Sequence, residues 1–187
     1  VIDAAKENIS YFEMRFSPEH YSRKSGFALE AVIEAVISGA SEAAAKTDMT
    51  IAYLITLGRE KLDADEMHQY IRLSLPYRDH GVVGIDLAGD ESHYPAELFA
   101  KVFKGLPERT GFHSTIHAGE ARGPESVVTA ITELDAERIG HGVRTIEDEA
   151  AMALLLDRKI LLEQCLTSNF QTCTVKSIAS HPFPEFY

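Results

Sequence analysis

Two short segments of the sequence combine imidazole and carboxylate groups with glycine, a combination that suits acid–base or metal chemistry. They are His117-Ala-Gly-Glu120 and Arg138-Ile-Gly-His141-Gly142. Histidine binds metals and exchanges protons near neutral pH, and glycine lets the backbone turn closely enough to aim both side chains into one site. Each segment alone also fits a structural histidine at a turn or, for Glu120, an acid that stabilises a helix start. Because the two segments are expected at neighbouring strand ends, we interpret His117, Glu120 and His141 as candidate site residues.

A third segment with candidate site residues is Gly84-Ile-Asp-Leu-Ala-Gly-Asp-Glu91. Asp86 can point inward from a strand, and Gly89 stands where a ligand can approach the bare backbone N–H. Both are therefore predicted to contact the substrate. Asp90 and Glu91 are expected to form a solvated acidic loop.

Two further polar segments lie near the ends of the chain. Glu13 and Arg15 alternate along Phe12-Glu-Met-Arg-Phe-Ser-Pro18, so both are expected inside the barrel as a buried ion pair that supports the site. The segment Gln164-Cys-Leu-Thr-Ser-Asn169 fits either a pocket wall or a turn. The other histidines lack such a context and are expected to be exposed or structural: His20, His68, His80, His93, His113 and His181.

Six β-rich runs alternate with segments of helical periodicity, the pattern of an α/β fold with repeated βα units and a parallel sheet. The predicted strands are Ser10–Phe16, Thr50–Leu57, Val82–Leu87, Ser114–His117, Arg138–Gly140 and Ile160–Gln164. In a parallel barrel, catalytic groups come from the C-terminal ends of strands, where the histidine segments fall. The stripes expected to pack on the barrel are Val32, Ile33, Val36, Ile37 and Ala40; Met67, Tyr70, Ile71 and Leu75; Leu98, Phe99, Val102 and Phe103; Val127, Val128, Ile131 and Leu134; and Met152, Leu155 and Leu156.

The composition argues against several classes of function. Net charge is −11, with 29 acidic and 18 scattered basic residues, which disfavours nucleic-acid binding. No apolar run approaches the roughly 20 residues that span a membrane, and no signal peptide is apparent. Only Cys165 and Cys173 are present, so we expect a reducing cytoplasm with both thiols free and packed. The chain of 187 residues is too short for a usual barrel of about 250, so we expect one domain, 1–187, truncated at both ends.

Taken in order, five motifs resemble the bacterial type of the adenosine deaminase family, and the resemblance covers essentially the whole chain. It implies a partial (β/α)8 TIM barrel of the metallo-dependent hydrolase type, with about six of the βα units. It also implies zinc-dependent hydrolytic deamination of adenosine, and of 2′-deoxyadenosine, to the inosine nucleoside and ammonia in purine salvage. The motifs are Phe12–Pro18, Gly84–Glu91, His117–Glu120, Arg138–Gly142 and Cys165–Asn169.

The resemblance also implies roles for individual residues. The family's zinc-binding histidine falls on His117, and the glutamate that protonates purine N1 falls on Glu120. The histidine that stabilises or deprotonates the attacking water falls on His141, and the backbone that meets purine N3 falls on Gly89. This agrees with general chemistry, because zinc lowers the pKa of water toward about 7 and a glutamic acid facing N1 must keep its proton.

Two segments of the family pattern are missing, a His-x-His pair and an Asn-Thr-Asp-Asp run, which supply the other zinc ligands and a substrate-binding aspartate. With His117 as the one ligand present, the isolated chain is expected to bind zinc poorly and to be inactive. Adenine deaminase or another purine aminohydrolase stays an alternative, as does a non-catalytic remnant that acts as a binding module. A metal-free hydrolase with Glu120 and Asp86 as paired carboxylates would leave His117 and His141 without a task. The oligomeric state is not indicated.

Overall fold

Six parallel strands form one sheet in chain order in the computed structural model, which describes all residues 1–187. The outermost strands, first and last, do not pair with each other, so the sheet is an unclosed half-barrel. The predicted α/β fold with six βα units is confirmed, and every predicted strand end lies within one residue of the observed end. The strands are β1 (Tyr11–Phe16), β2 (Thr50–Gly58), β3 (Val82–Ala88), β4 (His113–Ala118), β5 (Arg138–His141) and β6 (Leu161–Glu163).

Helical segments precede the first strand, connect the strands and follow the last one. The α-helices are α1 (Ile2–Lys6), α2 (Pro18–Ser25), α3 (Leu29–Ala44), α4 (Ala64–Ser74), α5 (Ala100–Phe103), α6 (Leu106–Thr110), α7 (Pro124–Glu133), α8 (Glu149–Arg158), α9 (Leu166–Gln171) and α10 (Phe183–Phe186). Short 3-10 turns cover Leu75–His80, Ala96–Phe99, Val143–Glu147 and Ile178–Ser180. None of the helices has the length and apolar character that crossing a bilayer requires.

Side chains alternate between the two faces of each strand, which divides the sheet into an apolar face and a polar face. Apolar strand residues such as Ile55, Leu87 and Ile116 are buried in one core with helix residues such as Ile33 and Val127. The residues between them in sequence lie on the opposite, polar face. These are Glu13 and Arg15 on β1, Thr56 on β2, Asp86 on β3, Thr115 and His117 on β4, Arg138 on β5 and Glu163 on β6.

Three residues of the predicted helical stripes are exposed. Leu75 is 36% exposed because α4 ends at Ser74 and Leu75 begins a 3-10 turn. Leu98 is 60% exposed because its segment is divided into a 3-10 turn, α5 and α6, with Gly105 in the left-handed region, so no continuous helical face exists there. Leu156 is 76% exposed and lines a groove of about 570 Å³ beside the edge strand β6. The prediction was wrong at these three positions because a stripe keeps its register only along an unbroken helix and is buried only where another element covers it.

The cysteines also differ in part from expectation. Cys165 and Cys173 are free, as predicted, but both are exposed and not packed. Cys165 directly follows β6, the edge strand, and Cys173 follows α9. Neither position is covered by another element of the chain, so the usual burial of free cysteine does not apply.

Candidate active site

The two candidate histidines lie side by side because their strands are neighbours. His117 pairs in register with Gly140, and Ala118 pairs with His141, across β4 and β5. The imidazole rings have centroids 5.1 Å apart and planes inclined by 64°. The structure thus brings together the two glycine-flanked segments that the sequence indicated.

The imidazole of His117 is held by a buried carboxylate. Its Nδ1 lies 2.9 Å from Oδ1 of Asp86, whose other oxygen accepts from Thr56 at 3.1 Å and lies 3.4 Å from Nε of Arg15. Burial alone would raise the pKa of Asp86, but His117 and Arg15 lower it below the ordinary value. With Nδ1 occupied in this way, Nε2 is the ring atom left for a ligand, the arrangement typical of metal-binding histidines.

The glycine before His141 makes room for His117. A Cβ on Gly140 would lie 2.8 Å from Nδ1 and 2.9 Å from Cγ of the His117 ring. Real Cβ atoms do not approach other atoms so closely, so any side chain at position 140 would displace the imidazole. The first glycine of Arg138-Ile-Gly-His-Gly142 therefore serves the histidine of the neighbouring strand.

The backbone at His141 adopts a conformation that is rare for a residue with a side chain. Its φ is +64°, and Gly142 follows with +65°. A non-glycine residue in the left-handed region costs free energy and is enriched at functional sites. The amide of Gln164, at the end of β6, donates to the carbonyl of His141 and holds this peptide in place.

A chain of hydrogen bonds fixes the tautomer of His141. The N–H of Phe183 donates to Nδ1 of His181 at 3.1 Å, so Nε2 of His181 carries the proton and donates to Oδ1 of Asn169 at 3.1 Å. The Asn169 amide nitrogen then lies 2.9 Å from Nδ1 of His141 and 3.4 Å from a carboxylate oxygen of Glu120. Because an amide nitrogen only donates, Nδ1 of His141 accepts, and the neutral ring carries its proton on Nε2.

The charge state of His141 follows from its surroundings. Burial lowers the pKa of His141 more than the carboxylate of Glu120 raises it, and His117 lowers it further when its ring is charged. The net direction is downward, so the ring is neutral at neutral pH. Its Nε2–H is therefore available as a hydrogen-bond donor.

The carboxylate of Glu120 lies at the same end of the sheet. Its Oε1 accepts from the hydroxyl of Thr172 at 2.9 Å and lies 3.6 Å from Nδ1 of His141. No hydrogen bond reaches its other oxygen, and the side chain is partly exposed. We refer to His117, Glu120, His141 and Asn169 as the strand-end cluster.

The segment after β3 differs from expectation at Glu91. Asp90 is exposed and accepts from the N–H groups of Ser92 and His93, as a solvated loop would. Glu91 is 4% exposed and contacts the loop after β4, so its prediction as a solvated acid was wrong. Gly89 has a φ of +109° at the end of β3, and this conformation favours glycine.

Glu13 and Arg15 both lie on the polar face, but they do not pair with each other. Arg15 Nη2 lies 2.6 Å from Glu163, and Arg138 Nη1 lies 2.6 Å from Glu13. Arg138 Nε also lies 3.4 Å from Glu163. Parallel strands bring residues from different strands together, whereas neighbours two apart on one strand lie about 6 to 7 Å apart. We refer to Glu13, Arg15, Arg138 and Glu163 as the charged layer.

Several contacts at the site were not identified from the sequence. Asn169 and His181 are buried and hydrogen-bonded to each other, whereas the sequence indicates only a pocket wall or a turn at Asn169 and an exposed or structural histidine at His181. The guanidinium of Arg59 is also buried, and it donates to the carbonyls of Tyr94 and His117. The only sequence signal for Asn169 was a polar segment directly after a strand.

The side chains of the site fit zinc only in part. No group of three His, Cys, Asp or Glu side chains is arranged to hold a metal ion. A zinc site takes at least three protein ligands, so the residues of this chain fit one position of such a site, at Nε2 of His117. Asp86 binds Nδ1 of this ring and fixes its orientation, and Nε2 has no partner, as in histidines that bind a metal through Nε2.

Comparisons with known proteins identify the family of the chain. A family model described as adenosine deaminase matches residues 1–187. The adenosine deaminase of Klebsiella pneumoniae is 42% identical over 186 residues, covering 100% of this chain and 55% of that protein. The chain therefore spans about half the length of the curated relatives it matches.

Solved structures show the same likeness. An adenine deaminase from Arthrobacter aurescens superposes with a TM-score of 0.88 at 26% identity, covering 98% of this chain and 55% of that one. An amidohydrolase from Burkholderia ambifaria, solved with bound zinc, gives 0.88 at 26% identity over 98% of this chain and 51% of that one. Arabidopsis ADAL in complex with IMP gives 0.85 at 29% identity over 99% of this chain and 55% of that one. By its family match over every residue, the chain belongs to the adenosine deaminase family.

Proposed function

We propose that the protein containing this chain hydrolyses the 6-amino group of adenosine and 2′-deoxyadenosine, giving the inosine nucleoside and ammonia in purine salvage. The observation that carries the proposal is the convergence of His117, Glu120 and His141 at one end of the sheet. One imidazole has a free Nε2, the carboxylate has a free oxygen, and the second imidazole is neutral with its proton on Nε2. Hydrolytic deamination at purine C6 needs an activated water, a proton donor to N1 and a hydrogen bond to the attacking oxygen.

The residues divide this work by their contacts. Zinc, bound through Nε2 of His117 and by ligands from outside the chain, would supply a Lewis acid that activates water. Glu120 protonates purine N1, and His141 hydrogen-bonds the attacking water. The backbone N–H of Gly89 meets purine N3.

For Asp86 we propose a role other than direct substrate contact. Its carboxylate has no exposed surface, and its partners are His117, Thr56 and Arg15. A group so enclosed acts through the imidazole that it holds. Asp86 therefore orients His117 and favours the tautomer whose Nε2 can bind a metal.

We also propose that residues 1–187 are the interior part of one longer barrel domain. Two observations support this: the chain covers 55% of its Klebsiella relative, and both edge strands lack a partner. The isolated chain would then bind zinc poorly and turn over little substrate. The protein would act in the cytoplasm, in keeping with its two free thiols.

A second candidate function is deamination of another 6-aminopurine. The Arthrobacter relative is an adenine deaminase, and Arabidopsis ADAL binds a nucleotide, IMP. In the proposed reaction the strand-end cluster would act only on the ring atoms at C6 and N1, which adenosine, adenine and AMP share. A remnant that binds purines without turnover is a third candidate.

The test is zinc content and loss of adenosine absorbance, measured for this chain and for a version extended at both ends to the length of its relatives. Zinc and deamination in the extended protein alone support the proposal. Zinc in the extended protein with turnover of adenine or AMP in place of adenosine supports the second candidate. Full activity in residues 1–187 alone would contradict the proposed division of the site.

A further inference from the structure

We propose that Glu91 is a positioning residue whose buried carboxylate holds the loop that presents Glu120 to the substrate. The inference rests on the proposed function for what Glu120 does, but not for how the loop is held. The loop consists of residues 119–123, which connect β4 to α7 and form neither strand nor helix. We refer to it as the β4–α7 loop.

Four consecutive backbone N–H groups of the β4–α7 loop converge on this one side chain. Oε1 of Glu91 accepts from the N–H of Gly119 at 2.7 Å, and Oε2 accepts from those of Glu120, Ala121 and Arg122 at 3.2, 2.7 and 2.9 Å. None of the four N–H groups has another partner. The conformation of the loop therefore depends on a residue that lies 28 or more positions away in sequence.

A fifth hydrogen bond connects the carboxylate to the helix that follows the loop. The hydroxyl of Ser126, in the first turn of α7, donates to Oε1 of Glu91 at 2.5 Å. Glu91 thus fixes both the loop and the start of α7. Glu120 lies within this loop, between the bound N–H groups of Gly119 and Ala121, and its side chain is directed toward His141.

A buried cation supports the same segment from the strand side. Arg59 donates to the carbonyl of His117 through Nη2 and to that of Tyr94 through Nη1 at 2.8 Å. The segment from His117 to Arg122 is therefore held by both charges. Arg59 binds the carbonyl of His117, and Glu91 binds the N–H groups of residues 119–122. Both groups are almost fully buried, Arg59 at 2% and Glu91 at 4% exposed.

An amide cannot replace the carboxylate at this position. In Glu91→Gln one oxygen would become an NH₂ group, which only donates, and it would face N–H groups that also only donate. Leaving buried donors unsatisfied costs about 1 to 3 kcal/mol each, so the loop is expected to move away. Displacing a catalytic group by about 1 Å can lower turnover by about 100-fold.

The experiment compares the extended zinc-loaded protein with its Glu91→Gln variant by two independent measurements. The first is amide hydrogen exchange of residues 119–122, which measures the protection of the four N–H groups bound to Glu91 and requires no known substrate. The second is kcat and KM for adenosine, together with zinc content per protein. Glu133→Gln, the same change at an exposed residue of α7 without a hydrogen-bond partner, is the matched control.

We expect faster exchange confined to the β4–α7 loop, and a kcat lowered about 10- to 100-fold with KM and zinc content nearly unchanged. Unchanged exchange would overturn the inference, and so would faster exchange with an unchanged kcat. A loss of kcat that only parallels a loss of zinc or folded protein would also overturn it, because a purely structural role predicts that pattern.

A milder variant covers the case in which Glu91→Gln does not fold. Ser126→Ala removes one of the five hydrogen bonds and leaves the charge, so a smaller increase in exchange and a decrease in kcat of about 2- to 5-fold are expected. No change in either would overturn the inference. If the unaltered protein deaminates no purine at all, the proposed function fails, and hydrogen exchange alone then decides whether Glu91 holds the loop.

Discussion

The polar face of the sheet carries two regions with similar residues and opposite properties. In the charged layer, every ionised group faces a partner of opposite charge on another strand, as with Arg138 between Glu13 and Glu163. In the strand-end cluster, one atom of each reactive side chain has no partner within the chain. The charged layer pairs all its charges within the chain and stabilises the sheet. In the strand-end cluster, hydrogen bonds within the chain fix one atom of each side chain and leave another atom for a ligand.

One ion pair connects the two regions. Arg15 belongs to the charged layer through Glu163, and its Nε lies 3.4 Å from Asp86, which holds His117. The charged layer can therefore support the cluster without taking part in the reaction. The difference predicts that changes in the cluster alter turnover, and that changes in the layer alter stability.

The largest effect is expected for Glu120→Gln in the extended protein. The amide keeps the size of the side chain and can still accept from Thr172, but it cannot supply the proton that the proposed reaction delivers to purine N1. We expect kcat to fall by about 100- to 10,000-fold, as for loss of a general acid, with circular dichroism and zinc content unchanged. Turnover within about threefold of the unaltered protein would remove Glu120 from the reaction.

A large effect is also expected for Gly140→Ala, because its Cβ would lie 2.8 Å from Nδ1 of His117. The displaced imidazole should weaken zinc binding about 10- to 100-fold, measured by competition with a chelator. Gly39→Ala is the control, since a Cβ there meets nothing within 4 Å, and in α3 it should leave zinc binding unchanged. Equal zinc affinity in Gly140→Ala would show that His117 is not a ligand.

A smaller effect is expected for Asn169→Ala, which removes the donor to Nδ1 of His141. The imidazole would lose its fixed tautomer, and we expect kcat to fall about tenfold with little change in zinc content. Gln171→Ala, an exposed amide on the same helix, is the control. A loss of zinc as large as the loss of kcat would contradict the inference that Asn169 acts through His141 and not through the zinc site.

The smallest effect on turnover is expected for Glu13→Gln in the charged layer, with a loss of stability of about 1 kcal/mol. Burial raises the pKa of Glu13, but Tyr11 and Arg138 lower it more, so the net shift is downward. A lowered pKa stabilises the fold above the ordinary glutamate value of about 4.3 and loses that effect as pH falls through the folded-state value. Urea denaturation should therefore show a lower free energy of unfolding for the variant at pH 7, and this difference should shrink toward pH 3. A large decrease in kcat without a loss of stability would contradict the distinction between the two regions.

The sequence was sufficient to predict the strands and the polar groups at their ends, for identifiable reasons. Alternating β-rich and helical patterns located all six strands, and the histidine segments with nearby glycine and carboxylate placed His117 and His141 at neighbouring strand ends. Contacts between distant segments were not readable in the same way. Glu91 is buried only because the loop after β3 meets the loop after β4, and nothing near it in sequence distinguishes it from the exposed Asp90.

The partners within the charged layer illustrate the same limit. Alternation correctly placed Glu13 and Arg15 on the inner face of β1, but the choice of partner depends on which strands lie opposite. Arg138 and Glu163 come from β5 and β6, and their approach to β1 is a property of the curved sheet. Exposure of Leu156 likewise depends on β6 being an edge.

The most direct test of the strand-end cluster is a crystal structure of the extended protein grown with zinc, with the metal located by its anomalous scattering. We expect one zinc at about 2.0 to 2.1 Å from Nε2 of His117, with Asp86 still bonded to Nδ1 and the other ligands from outside residues 1–187. A zinc bound elsewhere, or a His117 ring turned away from the metal, would contradict the claim that the strand-end cluster is the catalytic centre.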